Sequence, residues 1–189
     1  VADDFVCLPD LCPTFLDIAG VPHPAGLDSR SILPLLTAET GGLIDPSRTA
    51  VITGRERHVA EARDAYLPYP MRALHTADFL YIRNFAPERW PMGAPLAAEA
   101  PPATLSVEEL EHNTRYAFPD LDASPTKAWV VLNRETETGR RHYALAFAKR
   151  PAEELYDLRK DRDQLTNVAA DPAYAAMRAR MADDLTARL

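Results

Sequence analysis

The side chains best suited to chemistry lie in one short segment, Arg55–His58, which reads Arg-Glu-Arg-His and places four ionisable groups in a row. Arginine presents a planar fork of N–H donors that matches the oxygens of sulfate, carboxylate or phosphate. A histidine beside it can bind the ligand or shuttle a proton near neutral pH. A glutamate between two arginines can orient them, or accept hydrogen bonds from sugar hydroxyls. The segment therefore predicts a site for a small anionic ligand.

Tyr69 and Arg72 extend this cluster, because the loop that contains Tyr69 leads directly into the next extended segment. Prolines on both sides of Tyr69 keep the backbone extended and restrict where Arg72 can point. A competing interpretation is a solvated run of charges with internal ion pairs. On the binding interpretation, the candidate substrate-binding residues are Arg55, Glu56, Arg57, His58, Tyr69 and Arg72. We expect Arg57, His58 and Arg72 to converge on one face.

The elements around the cluster predict two structural bodies that meet near residue 66. Val51–Thr53 is an apolar, β-branched run, which is typical of a strand buried in a larger sheet. In an open α/β sheet, ligands bind beyond the carboxyl ends of the strands, which is where Arg55–His58 would lie. The other strands of that sheet would be absent from this chain. We therefore expect an exposed apolar surface, an unpaired strand edge and possible self-association.

The second body is predicted to contain a small antiparallel sheet. Met71–Leu74 and Phe79–Arg83 are β-rich runs joined by a polar turn, a pattern that indicates a hairpin. The alternation in Glu153–Leu158 predicts an edge or third strand of the same sheet. We divide the chain into residues 1–66, the tail of an N-terminal catalytic α/β domain, and residues 67–189, a C-terminal antiparallel-sheet subdomain with a closing helix.

Capping signals predict the helices. Asp10 is a plausible cap for a helix that ends at Gly20, and Ser106 opens a capping-box pattern. Ser124 and Asp171 each stand before a proline in the first helical position. The last helix has a buried stripe at helical spacing, formed by Tyr174, Met177, Met181 and Leu185.

Composition excludes several classes of protein. The formal charge of −7 over 189 residues disfavours binding to nucleic acid. The sequence contains no run of roughly 18 apolar residues, the length that a membrane-spanning helix needs. The sequence contains no nucleophile elbow, no Gly-rich phosphate loop and no metal triad. Because the chain lacks an initiator Met and enters a folded-looking segment at once, we interpret it as a fragment of a longer protein.

Three blocks of the sequence resemble sulfatases. Val6–Pro22 is similar to the segment that follows the last metal-binding loop of that family, and Leu27–Leu36 is similar to the next block. The second block has Ser29 where the family usually has Gly. Glu154–Leu158 and the residues after it resemble the closing block, with Arg162 in place of the usual Pro. The order and spacing of these blocks span nearly the whole chain.

The middle of the chain resembles the heparan N-sulfatase (sulfamidase) branch of this family. The similar segments are Gly54–His58, Tyr69–Arg72 and Ser124–Thr126. The resemblance implies the C-terminal portion of an alkaline-phosphatase-like α/β fold with a smaller α+β antiparallel-sheet subdomain. It also implies hydrolysis of a sulfate ester or sulfamate, with a sulfated sugar as substrate and the remainder of the catalytic domain as partner.

The same resemblance implies two cofactors, a calcium ion and a formylglycine made from the cysteine of a Cys/Ser-x-Pro-x-Arg motif. Neither Cys7 nor Cys12 lies in such a motif, so both groups are expected upstream of this chain, which would be inactive alone. Two alternatives stay open. One is a phosphatase or phosphodiesterase of the same superfamily, with an upstream Ser or Thr nucleophile. The other is a noncatalytic sugar-binding or interaction module.

Overall fold

Four strands form one antiparallel sheet at the centre of the molecule. A computed structural model describes residues 1–189. The strands are β1 (Ala50–Arg55), β2 (Met71–Thr76), β3 (Phe79–Asn84) and β4 (Glu153–Asp157), arranged in the order β1-β2-β3-β4. The hairpin between β2 and β3 and the third strand at residues 153–158 are both confirmed by this pairing.

The placement of β1 corrects one expectation. Val51–Thr53 was expected inside a larger sheet of a separate body, but β1 pairs antiparallel with β2 and forms an edge of the small sheet. Its apolar character has a different cause: Ala50 and Ile52 pack on only one face, against the core below the last helix. A short apolar run cannot distinguish one-sided from two-sided burial. The division of the chain at residue 66 stays a prediction, although the sheet crosses it.

The chain has six α-helices. They are α1 (Leu11–Ala19), α2 (Leu33–Leu36), α3 (Val107–His112), α4 (Pro125–Leu132), α5 (Glu137–Phe147) and α6 (Ala175–Arg188). Ser106, Ser124 and Asp171 each accept a backbone N–H at the predicted helix start, and Gly20 ends α1 in the left-handed conformation. No helix combines the length and apolar character that crossing a membrane requires.

Asp10 has a different role from the predicted cap. Its backbone is already helical, and its carboxylate makes no cap to α1. Instead it accepts the backbone N–H of Arg30 and the Nη1 of Arg48, the latter at 2.8 Å. Arg48 also donates to three backbone carbonyls, those of Phe5, Arg30 and Ser31. Burial raises the pKa of Asp10, but these donors outweigh it and hold the pKa below its usual value. The Asp10–Arg48 ion pair therefore connects segments of the first 48 residues that are far apart in sequence.

Two hydrophobic cores lie on opposite sides of the sheet. The first packs α6 against one face, with Leu74, Tyr81 and Leu155 fully buried. The predicted stripe of α6 is confirmed there, since Met181 and Leu185 are buried and Tyr174 and Met177 pack beside them. The second core joins α3, α4 and α5 around Phe118 and Phe147, whose rings stack 4.2 Å apart. Its segment at residues 90–92 approaches the other face of the sheet.

Candidate functional site

The pleat of β1 and β2 separates the predicted site residues onto two faces. Side chains alternate between faces along a strand, and paired residues share a face. Arg55 pairs with Met71, and Gly54 pairs with Arg72. Arg55 therefore lies on the face towards the second core, and Arg72 on the face of α6. We name these the Arg55 face and the Arg72 face.

On the Arg72 face, the arginine lies across Gly54 and binds Glu56. Arg72 Nη2 is 2.5 Å from Glu56 Oε1, and Nη1 donates to the carbonyl of Met71 at 2.8 Å. A Cβ on Gly54 would stand 2.8 Å from Arg72 Cδ, so only glycine leaves room for this arrangement. The pair is partly exposed to solvent. Glu56 is thus held by Arg72 rather than by the arginines adjacent to it in sequence.

On the Arg55 face, two guanidinium groups flank the ring of Tyr69. Those of Arg55 and Arg63 are each 5.6 Å from the ring centroid, and both donate to the carbonyl of Pro91 at 2.7 Å. Arg63 is neutralised by Asp120, with Nη2 and Oδ2 2.7 Å apart. Arg55 takes part in none of the ion pairs of the structure.

A pocket of about 420 Å³ opens beside Tyr69, between the sheet and the second core. We call it the Tyr69 pocket. Its lining comprises Arg55, Tyr69, Met71, Ile82, Asn84, Pro91, Met92, Ala146, Arg150, Glu154, Tyr156 and Gln164. Its volume falls within the range of small-molecule sites, and its lining mixes apolar walls with a few convergent polar groups, as such sites do.

The carboxylate in this pocket is held by two neutral donors and keeps acceptor capacity on both oxygens. Glu154 accepts Asn84 Nδ2 at 2.8 Å and the hydroxyl of Tyr156 at 2.6 Å. Burial and the hydrogen bond to Glu154 raise the pKa of Tyr156, so its hydroxyl keeps its proton. Burial, and secondarily the charge of Glu154, also raises the pKa of Tyr69. Both tyrosines are therefore hydrogen-bond donors at neutral pH.

His58 lies on the surface beside a buried carboxylate. Its Nδ1 is 3.6 Å from Oδ1 of Asp120, too far for a hydrogen bond, and its side chain is 63% exposed. Oδ1 accepts the backbone N–H of Val59 at 2.9 Å, while Oδ2 holds Arg63. Because Arg63 and Arg55 share the Pro91 carbonyl, His58 lies on the Arg55 face. Arg57 is exposed and forms no ion pair or side-chain hydrogen bond.

The expected convergence of Arg57, His58 and Arg72 on one face is therefore wrong. The register puts Arg72 across the sheet from Asp120, the carboxylate beside which His58 lies. The structure instead brings Arg55 and Tyr69 together and pairs Glu56 with Arg72. Whether any of the six residues contacts a substrate stays a prediction.

Sequence reasoning missed the far side of the Tyr69 pocket. Arg150, Glu154 and Tyr156 lie about eighty residues beyond Tyr69, and only the pairing of β3 with β4 brings them near. The alternation of β4 could have found two of them, since Glu154 and Tyr156 fall on the same face of a strand. No sequence pattern near Asp120 indicates that its carboxylate pairs with Arg63.

The residues of this chain do not fit the two cofactors that the resemblance implies. No group of three or more His, Cys, Asp or Glu side chains is arranged to hold a metal ion. Cys7 and Cys12 are both free thiols outside any Cys-x-Pro-x-Arg sequence.

Comparison with known proteins identifies sulfatases as the relatives of this chain. It is 26% identical over 176 residues to an ulvan-active sulfatase of Formosa agariphila, covering 93% of this chain and 27% of that protein. It is 28% identical over 200 residues to human N-sulphoglucosamine sulphohydrolase, covering 98% of this chain and 32% of that enzyme. These matches confirm the resemblance to sulfatases. The chain spans about a third or less of the length of these relatives. No family model matches it.

The fold has a counterpart among solved structures. BT4656, solved in complex with its substrate D-glucosamine-2-N,6-O-disulfate, superposes with a TM-score of 0.50 at 19% identity. The match covers 95% of this chain and 23% of that one. It confirms the predicted fold class, a portion of the sulfatase fold with an antiparallel sheet and helices.

Proposed function

We propose that this chain, whose relatives are sulfatases, forms the C-terminal part of an enzyme that hydrolyses sulfate esters or sulfamates on glycosaminoglycan-type sugars. The observation that carries the proposal is the similarity to sulfatases along 93–98% of the chain. The substrate class follows from two of the matched proteins: N-sulphoglucosamine sulphohydrolase by its name, and BT4656 by the disulfated glucosamine bound to it.

In this proposal the chain supplies substrate recognition rather than the nucleophile. Arg55, Arg57 and His58 contact sulfate or carboxylate groups of the sugar, and Tyr69 takes a hydroxyl or an anionic group. Charge-assisted hydrogen bonds of this kind are the stronger class, and a guanidinium can make two in parallel. The support is that Arg55 and Arg57 have no carboxylate partner in the chain. Glu56 takes a hydroxyl of the sugar, and Arg72 acts through Glu56, which it holds in place.

The nucleophile, the calcium ion and the rest of the catalytic domain are proposed to lie outside this chain. These parts are included in the proposal because the chain spans only 27–32% of the length of its sulfatase relatives. Formylglycine and calcium supply a nucleophile and bind the sulfate group in that family. This chain packs against that domain and closes the pocket over the sugar.

The test is sulfate release by the full-length protein and by the isolated 189-residue chain. Each is incubated with an aryl sulfate, with glucosamine N-sulfate, with glucosamine 6-sulfate and with the matching aryl phosphate. We expect the full-length protein to release sulfate and the isolated chain to match a heat-killed control. Preference for the aryl phosphate would favour the phosphatase alternative. Sugar binding without turnover by the full-length protein would favour a noncatalytic module.

A further inference from the structure

Two buried donors next to the Tyr69 pocket have no partner in the protein. The Tyr69 side chain is only 2% exposed, yet its hydroxyl makes no hydrogen bond, and neither does Nη1 of the buried Arg63. A buried polar group without a partner costs about 1–3 kcal/mol. Folded proteins rarely keep such a group unless a ligand or an ordered water uses it. Tyr69 lines the pocket directly, so a molecule bound there is the candidate partner of its hydroxyl.

The charges of the pocket favour an anion. Arg55 and Arg150 line it, and neither belongs to an ion pair. Each makes one hydrogen bond to a backbone carbonyl, Arg55 to Pro91 and Arg150 to Leu145, which leaves further N–H donors free. The carboxylate that lines the pocket, Glu154, is already engaged by Asn84 and Tyr156. With Arg63 neutralised by Asp120, the pocket has one positive charge in excess.

The same pocket offers acceptors and apolar walls that suit a sugar ring. Glu154 and Gln164 can accept hydroxyl protons, while Ile82, Met92 and Ala146 provide apolar surface. A bare inorganic anion would leave those walls empty. A hexose that carries one anionic substituent would use both the donors and the walls, and it fits a volume of about 420 Å³.

We propose that the Tyr69 pocket is a subsite for one sugar unit bearing a sulfate or carboxylate group, bound by Tyr69, Arg55 and Arg150. This inference rests on the proposed function for its substrate class, and it adds Arg150, Glu154 and Asn84 to the recognition residues. Tyr69 and Arg150 contact the anionic substituent. Glu154, which Asn84 and Tyr156 hold in place, accepts a hydrogen bond from a sugar hydroxyl.

The test is calorimetric binding to the full-length protein that carries this chain. The probes are glucosamine 6-sulfate, glucuronate and N-acetylglucosamine. We expect one of the two anionic sugars to bind at least about tenfold tighter than N-acetylglucosamine, and the tighter one identifies the substituent. Equal affinity for all three probes would overturn the proposal.

Two variants and two matched controls locate the binding. Tyr69→Phe removes only the hydroxyl and should weaken binding of the preferred probe about tenfold; Arg150→Gln should weaken it about ten- to hundredfold. The controls are Tyr66→Phe and Arg141→Gln, both exposed residues, which should bind like wild type. Because the Tyr69 hydroxyl has no protein partner, Tyr69→Phe should also melt at or above the wild-type temperature. A lower melting temperature with normal affinity would assign that hydroxyl a structural role and refute the proposal.

Turnover separates this inference from the proposed function. If the full-length protein hydrolyses sulfated sugars while Tyr69→Phe and Arg150→Gln bind and turn over like wild type, the subsite is wrong and the function stands. If no sulfate is released but the two variants lose binding, the subsite stands and the function is wrong.

Discussion

At the scale of single residues, Gly54 determines where Arg72 can lie. A side chain at position 54 would collide with Arg72 Cδ at 2.8 Å and crowd the Met71 carbonyl at 3.1 Å. Its absence lets the arginine cross β1 and reach Glu56. Arg72 therefore belongs to the site through Glu56, and the two should behave as one unit.

A double-mutant cycle on the full-length protein tests this coupling. We expect Arg72→Ala and Glu56→Gln each to lower kcat/KM for glucosamine N-sulfate by about the same factor, and the double variant to lose little more than either. Arg83→Ala is the control, because Arg83 pairs with Arg72 in the register but does not contact Glu56. Additive losses would mean that Arg72 contacts the substrate independently.

Asp157 gives the chain an acid-sensitive contact. Nε and Nη2 of Arg159 donate to the two carboxylate oxygens of Asp157 at 2.9 and 2.8 Å. These hydrogen bonds, with a further one from the hydroxyl of Tyr174, lower the pKa of Asp157 from 3.8 to about 2. Because the folded pKa is below the unfolded one, the stabilisation is present above about pH 4 and is lost as the pH falls towards 2.

Denaturant unfolding between pH 5 and about pH 2 measures this contribution. We expect the free energy of unfolding of the wild type to fall more steeply with acid than that of Asp157→Asn. The exposed Asp163→Asn should follow the wild type. Parallel curves for all three proteins would show that these hydrogen bonds contribute no acid dependence.

Local signals in the sequence located single residues well and their long-range partners poorly. Ser124 and Gly20 were predicted at helix ends because a cap needs only its own neighbours. Asp10 was misassigned because its partner, Arg48, lies 38 residues away. Tyr69 and Arg55 were predicted as binding residues, but Pro91, whose carbonyl accepts from both Arg55 and Arg63, could not be.

At the scale of elements, a buried lysine of α4 connects this helix to the loop before it through hydrogen bonds. Nζ of Lys127 donates to the backbone carbonyls of Thr114, Phe118 and Leu121. Burial lowers the pKa of Lys127 to about 8, and the charge of Asp122 opposes that shift. Because the loop of residues 114–121 has these carbonyls turned inward, the ammonium group holds loop and helix together.

Removing that ammonium group should destabilise the second core. Lys127→Met keeps the length of the side chain but leaves three inward carbonyls without this donor, at a cost of about 1–3 kcal/mol or more. Thermal and denaturant unfolding measure the loss, with Arg141→Met as control, since Arg141 is exposed. Equal stability of Lys127→Met and wild type would mean that water replaces the ammonium group without cost.

The element that sequence reasoning misplaced is β1. Its apolar run predicts a strand, and a strand is present. The strand that pairs with β1 is β2, and the two come together because the loop between them reverses the direction of the chain. The apolar run of β1 contains no information about that reversal. The alternation in Glu153–Leu158 predicted a strand correctly, but it did not predict that residues 154–157 of β4 are all buried, with one face on α6 and the other on the Tyr69 pocket.

At the scale of the whole molecule, α1 presents an uncovered apolar face. Phe15 is 63% exposed and Ile18 is 62% exposed, with Leu8 and Leu11 beside them in sequence. We propose that the remainder of the catalytic domain covers this face, since the chain spans under a third of its sulfatase relatives. In the isolated chain, the same face favours self-association.

Sedimentation of the isolated chain tests the role of this face. We expect the wild type to self-associate with rising concentration, and the double variant Phe15→Ser, Ile18→Ser to remain monomeric at the same concentrations. Val107→Ser, which removes an exposed apolar side chain from α3, should behave like the wild type. A wild-type chain that stays monomeric throughout would contradict the prediction.

The central claim is that this chain recognises the sugar of a sulfated substrate, and its most direct test compares two substrates in one full-length enzyme. An aryl sulfate carries the scissile group alone, whereas glucosamine 2-N,6-O-disulfate adds a sugar and a second sulfate group. We predict that Arg57→Gln with His58→Gln lowers kcat/KM for glucosamine 2-N,6-O-disulfate by about ten- to hundredfold and leaves the aryl sulfate within about twofold of wild type. Equal losses on both substrates, or no loss on either, would contradict the account.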